Sequence, residues 1–204
     1  MLTSCAEVRS LIDRKDNTKS GDILFEDDFN QAPNGWGLVD RAGGNIESAY
    51  GGMLFTVNLP DFMFWSVNGG IYDDTQIEVD AILLDGPVND NFGVICRYQD
   101  EKNFYGFLVS HDGYYGIIKY IDGSMVTATE KGNLAYSEVI RKGGVVNHIK
   151  AVCQRDTLSL SVNDTLLASV VDDSFQEGKI GLIAGAYDDP GVMVFFDNLK
   201  VYQP

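Results

Sequence analysis

From residue 23 onward, the sequence is a succession of short apolar runs that Gly, Asn or Asp interrupts every few residues. β-Branched and aromatic residues are frequent in these runs, and such side chains fit a pleated, half-buried strand. Asp112-Gly113, Asp122-Gly123 and Asn163-Asp164 have hairpin-turn composition, because Gly, Asn and Asp tolerate a positive φ. The predicted strands span residues 23–29, 45–57 with a turn at 51–52, 62–67, 75–84, 91–98, 104–110, 114–121, 124–129, 146–155, 157–162, 166–171, 179–186 and 192–202.

The alternation inside these runs predicts sheets with one buried and one wetter face. Ile77, Val79 and Ala81 alternate with Glu78 and Asp80, which places the two acids on one surface of their strand. Hairpins follow one another without βα alternation, which argues against a parallel α/β fold. The sequence therefore predicts an all-β fold, a two-sheet antiparallel β-sandwich of the jelly-roll type.

The chain divides into a leader or tether, residues 1–22, and one sandwich domain, residues 23–204. With 204 residues, 45% of them hydrophobic, it is long enough for one well-packed core. The tetrapeptide that ends at Cys5 resembles the lipobox of bacterial lipoproteins, and this resemblance implies lipidation of Cys5. The polar segment 13–22 suits a tether, whereas the basic and apolar parts of a signal are missing. We expect an extracellular or cell-surface protein; the alternative is a short leader before a cytosolic domain.

The charge balance limits the partners. The chain has 15 basic and 30 acidic residues, a net charge of −15. Nucleic acid is excluded as a partner on this ground, because affinity for phosphates requires clustered Lys and Arg. No apolar run approaches the roughly 18 residues that span a membrane, so membrane contact is expected only through a lipid anchor.

Two cysteines are expected to face the core. Cys96 shares its strand face with Phe92 and Val94, and Cys153 shares its face with Ile149. If they lie inward on neighbouring strands of an exported protein, they can form a disulfide. Two buried free thiols are the alternative.

Seven short motifs follow one another in a fixed order along residues 23–203. They are FEDDF at 25–29, QIEVD at 76–80, FGVICRY at 92–98, NFYGF at 103–107, DGYY at 112–115, SVND at 161–164 and VFFDNLKV at 194–201. Their order and spacing resemble the concanavalin A-like lectin and glucanase superfamily, and most closely its laminin-G-like and keto-disaccharide-hydrolase-like modules from exported bacterial proteins. This resemblance implies the jelly-roll fold, but it specifies function weakly, because the same sandwich serves lectins, hydrolases and spacers.

Glu78-Val79-Asp80 resembles the start of the Glu-x-Asp-x-x-Glu signature of laminarinase-type glycoside hydrolases. Retaining hydrolysis needs two carboxyl groups that flank the scissile bond. Leu83 stands where the second catalytic Glu is expected, so the pair cannot assemble from this strand. The prediction is that the protein is not an enzyme, with Glu78 and Asp80 on an exposed strand face.

The resemblance also implies a structural calcium ion. Jelly-roll carbohydrate modules often join their first and last strands through Ca²⁺, and the matching positions here are Asp27, Asp28 and Asp197. Carboxylate oxygens suit this ion, which takes six to eight oxygen ligands. The alternative is that these acids cap turns.

Glycan binding requires exposed aromatic faces beside hydrogen-bonding groups. The candidate residues are Trp36, Trp65, Tyr115, Glu78 and Asp80. On the concave sheet face that the resemblance implies, we expect Trp36 or Trp65 in a groove close to Glu78 or Asp80. The alternative for each aromatic residue is packing in the core.

Three functions remain open at this point. The first is a noncatalytic, lectin-like carbohydrate-binding module whose partner is a glycan or another cell-envelope component. The second is a structural or adhesive envelope protein that self-associates through sheet edges or faces. The third is an enzyme that acts on a glycan.

Overall fold

The computed structural model describes residues 18–31, 34–129 and 132–204. Cys5 and most of the expected leader lie outside the described residues. The described residues form sixteen strands and no α-helix, which confirms the all-β prediction. The strands are β1 (Ile23–Asp27), β2 (Val39–Arg41), β3 (Gly44–Ala49), β4 (Gly52–Val57), β5 (Phe62–Val67), β6 (Thr75–Asp85), β7 (Asp90–Asp100), β8 (Asn103–Val109), β9 (Tyr114–Ile121), β10 (Ser124–Thr127), β11 (Ala135–Tyr136), β12 (Asn147–Gln154), β13 (Thr157–Val162), β14 (Thr165–Val171), β15 (Lys179–Ala186) and β16 (Val192–Tyr202).

Within the described residues, the strands form two antiparallel sheets. The larger sheet has the order β14-β13-β12-β6-β16-β4-β3-β2, with β1 paired to β16. The smaller sheet has the order β10-β9-β8-β7-β15-β5, with β11 paired to β9. Many of these neighbours are distant in sequence: β6 pairs with β12, and β7 pairs with β15. The result is the two-sheet sandwich that the alternation predicted.

The core lies between the inner faces of the two sheets. Strand β6 contributes Ile77 and Val79, both fully buried, while Phe55 and Phe196 meet edge to face with ring centroids 5.2 Å apart. Aromatic pairs prefer this geometry because the positive ring edge meets the negative ring face. The outer faces of the two sheets consequently point to opposite sides of the molecule.

A disulfide between Cys96 and Cys153 crosses this core. Both cysteines are fully buried, as the sequence pattern predicted. They lie on β7 and β12, so the bridge joins the smaller sheet to the larger one. Of the two alternatives, a disulfide and two free thiols, the structure has the disulfide. Alternation predicts which way each side chain faces but not which sheet its strand joins.

Two polar clusters tie the loops to one end of the sandwich. Arg97, 2% exposed at a positive-φ position, donates to the carbonyls of Asp73 (3.2 Å) and Phe175 (2.9 Å) and pairs with the Asp74 carboxylate (3.2 Å). Nearby, the Asp172 carboxylate accepts hydrogen bonds from Tyr105 and Lys119. Both clusters compensate the desolvation of buried polar groups with several partners.

Candidate functional site

The outer face of the smaller sheet carries a second apolar cluster, separate from the core. Side chains that alternate with the inward-facing residues of β7, β8, β9 and β15 meet on this face. None of the five members is more than 2% exposed: Ile95, Phe104, Leu108, Ile118 and Ile183. Met63, Trp65, Tyr98 and Tyr120 are partly buried and pack against these residues, so the outer face has a small apolar core of its own.

Four aromatic rings lie together on this face, and we call Trp65, Tyr98, Phe104 and Tyr120 the aromatic platform. Phe104 and Tyr120 are stacked, with centroids 4.6 Å apart and planes 16° apart. The Phe104 centroid lies 5.4 Å from that of Trp65 and 5.6 Å from that of Tyr98. Trp65, Tyr98 and Tyr120 are each partly exposed. Burial raises the pKa of Tyr98 and of Tyr120, so both hydroxyls keep their protons and can donate hydrogen bonds.

Asn91 lies on the same face of β7 and is 2% exposed. Its Oδ1 is buried and has no hydrogen-bond partner among the described residues. Gly185 on the neighbouring strand makes room for it: a Cβ at that position would lie 2.9 Å from Asn91 Oδ1 and 2.4 Å from Cγ of Met63. This face therefore holds an acceptor whose hydrogen-bonding capacity is unused.

A polar pocket of about 390 Å³ lies at the Asp90 end of the same face, lined by Asn89, Ser110, Asp112, Tyr114, Asn133, Leu134, Tyr187 and Asp188. Ser110 continues the outward alternation of Leu108, and Tyr187 continues that of Gly185. Burial, and then the charges of Asp112 and Asp90, raise the pKa of Tyr187. The pocket thus offers aromatic rings, amides, carboxylates and protonated hydroxyls together.

The middle of the central strands brings no carboxylate to this face, whereas Asp100 and Glu101 lie near Tyr98 at one end of β7. The outward positions in the middle of the strands are Asn91, Gly93 and Ile95 on β7, Phe104, Gly106 and Leu108 on β8, and Gly181, Ile183 and Gly185 on β15. None of these nine side chains can act as an acid, a base or a nucleophile. The middle of the face can bind, but it holds no carboxyl pair for hydrolysis.

Asp90 and His111 form a buried pair behind the polar pocket. His111 Nδ1 lies 2.6 Å from Asp90 Oδ2, and the His111 backbone N–H donates to Asp90 Oδ1 at 2.9 Å. The imidazole stacks on Phe92, with ring centroids 4.0 Å apart. Both side chains are completely buried, so the pair supports the loops at this end and is out of reach of a substrate.

The two tryptophans have different environments. Trp65 is partly exposed on the aromatic platform, whereas Trp36 is 5% exposed and packs against Phe29 in the core. Trp36 Nε1 donates to Asp27 Oδ2 at 3.0 Å, which explains how a buried indole satisfies its N–H. Tyr115 faces inward and donates to the carbonyl of Leu167 at 3.1 Å. The prediction that Trp36 and Tyr115 contact glycan is therefore wrong, because both side chains pack against the core of the sandwich.

Glu78 and Asp80 lie on the outer face of the larger sheet, away from Trp65. Asp80 Oδ1 is 2.8 Å from His148 Nδ1, and Asp80 Oδ2 accepts from Asn198 at 3.0 Å. Glu78 Oε1 accepts from Gln76 at 2.8 Å. The prediction of one groove that contains a tryptophan and these acids was wrong, because β6 joins the larger sheet and Trp65 belongs to the smaller one.

The acids expected to bind calcium surround the β1–β16 junction. Both carboxylate oxygens of Asp27 accept hydrogen bonds, from Phe29 N and from Trp36. Hydrogen bonds from Asn30 lower the pKa of Asp28, and Asp197 accepts from Asn198 N at 2.7 Å. In the part of the chain that the structure describes, no group of three or more His, Cys, Asp or Glu side chains is arranged to hold a metal. The calcium site stays a prediction.

Comparisons with known proteins are informative only at the level of structure. No family model and no curated protein sequence matches the chain. The carbohydrate-binding module CBM66 of Bacillus subtilis superposes with a TM-score of 0.66 at 19% identity, over 85% of this chain and 97% of that one. A Bacillus licheniformis β-glucanase gives 0.63 at 13% identity, over 92% and 100%. A Bacillus subtilis protein of unknown function with a galectin-like fold gives 0.63 at 11% identity, over 91% and 97%.

These similarities define the class of fold, a two-sheet jelly roll, and confirm the fold that the motif order implied. The same fold carries a binding module and a glucanase, so function must be argued from the surface itself. The described residues include no helix that is long and apolar enough to cross a membrane.

Proposed function

We propose that this protein is a noncatalytic carbohydrate-binding module of an exported or cell-surface protein, and that it binds glycan on the outer face of the smaller sheet. The observation that carries the proposal is a partly exposed aromatic platform on a sheet face that also holds a polar pocket. Sugar rings have apolar C–H faces that stack on aromatic rings, and hydroxyl rims that take hydrogen bonds from amides, carboxylates and tyrosines. The CBM66 module from Bacillus subtilis has the same fold.

The ligand class follows from charge. Asp112 and Asp188 line the pocket, and the whole chain has a net charge of −15. Both features repel anionic glycans such as uronates or sulfated sugars. A neutral glycan is the ligand that this surface fits best.

The middle of the face supports a noncatalytic role. The nine outward positions there include no carboxylate, and hydrolysis with two carboxyl groups requires them on both sides of the bond. Export is supported by the buried disulfide, a bond that persists in oxidising compartments.

The test is a glycan array of neutral and anionic oligosaccharides, followed by calorimetric titration of the strongest neutral hit. Trp65→Ala should weaken binding at least about tenfold, because a lost stacking contact of about 1.5 kcal/mol corresponds to that factor. Tyr50→Ala is the matched control, since Tyr50 is 90% exposed in a turn of the larger sheet and away from the platform.

Unchanged binding by Trp65→Ala, with the fold verified by circular dichroism, would refute the platform as the binding site. Selective binding of anionic glycans would refute the ligand class. Release of reducing sugar from the bound glycan, lost in an Asp112→Asn/Asp188→Asn variant, would overturn the noncatalytic assignment.

A further inference from the structure

Asn91 is a buried asparagine whose side chain makes no hydrogen bond to any described residue. It is 2% exposed, and its Oδ1 is buried without a partner. Its Nδ2 also donates to no described residue. A buried carboxamide without partners costs free energy, and most buried polar groups in proteins are hydrogen-bonded. Such a group on the binding face points to a partner outside the chain.

The other two buried asparagines of the described residues differ from Asn91. Asn147 Oδ1 accepts from Arg141 N at 2.8 Å, and its Nδ2 donates to the Arg141 carbonyl at 2.8 Å. Asn68 Nδ2 donates to the Asn34 carbonyl at 3.0 Å. Both amides therefore stabilise loops, as is usual for a buried amide. The Asn91 amide has no comparable structural role.

Two further buried polar atoms lack partners among the described residues, but both face the core. Thr75 Oγ1 lies on the inward side of β6 with Ile77. His111 Nε2 belongs to a fully buried ring that stacks on the inward-facing Phe92. A ligand cannot reach either atom unless the sandwich opens. Within this group, Asn91 is the residue on the outer face.

Asn91 lies between the polar pocket and Trp65. Asn89, two residues before it, lines the pocket. Two residues after it, Gly93 pairs with Ile183, which in turn pairs with Trp65. Successive outward-facing residues of a strand are about 7 Å apart. A glycan that extends from Trp65 to the pocket therefore passes over Asn91.

We propose that Asn91 selects the glycan by binding two neighbouring hydroxyl groups of one sugar residue. This inference rests on the proposed function, glycan binding on the outer face of the smaller sheet. A carboxamide offers an acceptor and a donor side by side, so Oδ1 accepts from one hydroxyl and Nδ2 donates to the next. A sugar that lacks either hydroxyl leaves one amide atom unpaired in the complex, which costs affinity.

Movement of Met63 gives the sugar access to the Asn91 amide. Gly185 pairs with both residues, and a Cβ at Gly185 would lie 2.4 Å from Met63 Cγ and 2.9 Å from Asn91 Oδ1. The two side chains are therefore close neighbours above Gly185. Met63 is partly exposed, and the unbranched methionine side chain adapts its rotamer easily. A rotamer change at this one residue uncovers the amide without movement of the backbone.

The first experiment measures binding by NMR titration of the full chain with the methyl glycosides of glucose, galactose, mannose and xylose, each beside its monodeoxy forms. The side-chain amide signal that is missing in Asn91→Leu belongs to Asn91, and a bound glycoside should shift this signal. Loss of one contacted hydroxyl should weaken binding to the wild-type protein about tenfold. Asn91→Leu should bind the parent glycoside about tenfold more weakly and no longer distinguish it from that deoxy form. Trp65→Ala should weaken both forms equally, because stacking does not depend on that hydroxyl.

The second experiment, urea unfolding, separates this role from a structural one. Leucine has nearly the shape of asparagine and no polar side-chain atom, so Asn91→Leu should unfold at the same urea concentration as the wild-type protein or at a higher one. Asn147→Leu is the matched control, because it removes a buried amide that is hydrogen-bonded, and it should unfold at a lower urea concentration. Asn91→Ala is a second variant for the binding measurement.

Loss of discrimination in both Asn91 variants, with the stability of Asn91→Leu retained, supports the proposal. If glycosides bind through Trp65 but the deoxy forms bind equally well, or Asn91→Leu still discriminates, the proposal is overturned and the proposed function stands. Unfolding of Asn91→Leu as early as that of Asn147→Leu also overturns it, because the amide then has a structural partner such as an ordered water. A wild-type protein that binds none of the glycosides and no neutral oligosaccharide of the array overturns the proposed function and this inference with it.

Discussion

Removal of the Cys96–Cys153 disulfide should cost the sandwich a large share of its stability. The bridge closes a loop with a sequence separation of 57 and links β7 of the smaller sheet to β12 of the larger. On the chain-entropy model, a loop of this length corresponds to roughly 4 kcal/mol of stabilisation through the unfolded state. Domains of this size are often stable by only about 5–15 kcal/mol in total, so the loss should be easy to measure.

The assay is urea unfolding of Cys96→Ala, Cys153→Ala and the double variant. Tryptophan fluorescence reports the unfolding, because Trp36 is buried in the core and becomes exposed to water. Each single variant already breaks the bridge, so the three free energies of unfolding should fall by nearly the same amount. Two independent effects would instead add. Cys5→Ser is the control, because it removes a thiol that is not part of the bridge.

Reductant provides a second readout. It should destabilise the wild-type protein by a similar amount and leave Cys96→Ala unaffected. Additive single-variant losses, or a loss below about 1 kcal/mol in the double variant, would refute the reasoning that the bridge stabilises mainly through loop closure.

Two further predictions concern acid stability and calcium. Burial raises the pKa of the Asp172 carboxyl, but hydrogen bonds, that of Lys119 first, outweigh burial and hold this pKa well below its usual range. The resulting stabilisation is complete above the ordinary carboxyl pKa near 3.8 and is lost as the pH falls below it. Asp172→Asn should therefore reduce the acid-induced fall in the free energy of unfolding. The control is Asp173→Asn, at an exposed neighbouring position. If calcium binds at Asp28, the Tm should be higher in CaCl₂ than in EDTA, because an ion bound only by the folded state stabilises that state. Asp28→Asn should remove this difference, and equal melting temperatures of the wild-type protein in the two solutions would contradict the calcium site.

The fold was predictable because its signals are local. The alternation of Ile77 and Val79 with Glu78 and Asp80 correctly predicts one buried and one wetter face of β6. The strands that escaped prediction, β2 and β11, are three and two residues long. Segments this short have no period of their own, and they become strands only because β3 and β9 lie beside them.

The candidate site was predictable only in part. Trp65 is a partly exposed residue of the platform, but Tyr98 and Tyr120 were not predicted as its neighbours. Phe104 lies between their rings and was expected only as a strand residue. The signal available was that Phe104, Gly106 and Leu108 share one face of β8, and this signal does not show which other strands complete that face.

Residue type and a period of two along the chain are enough to predict the strand-forming runs, the hairpin turns, the inward direction of Cys96 and Cys153 and the outward direction of Glu78 and Asp80. They do not predict that Cys96 and Cys153 face each other across two sheets, that Trp36 is buried, or that Trp65 lies on the side opposite Glu78 and Asp80. These features depend on hydrogen-bonded strands that are far apart in sequence, such as β6 and β12, or β7 and β15. The choice between such partners depends on the packing of the whole core rather than on any local pattern.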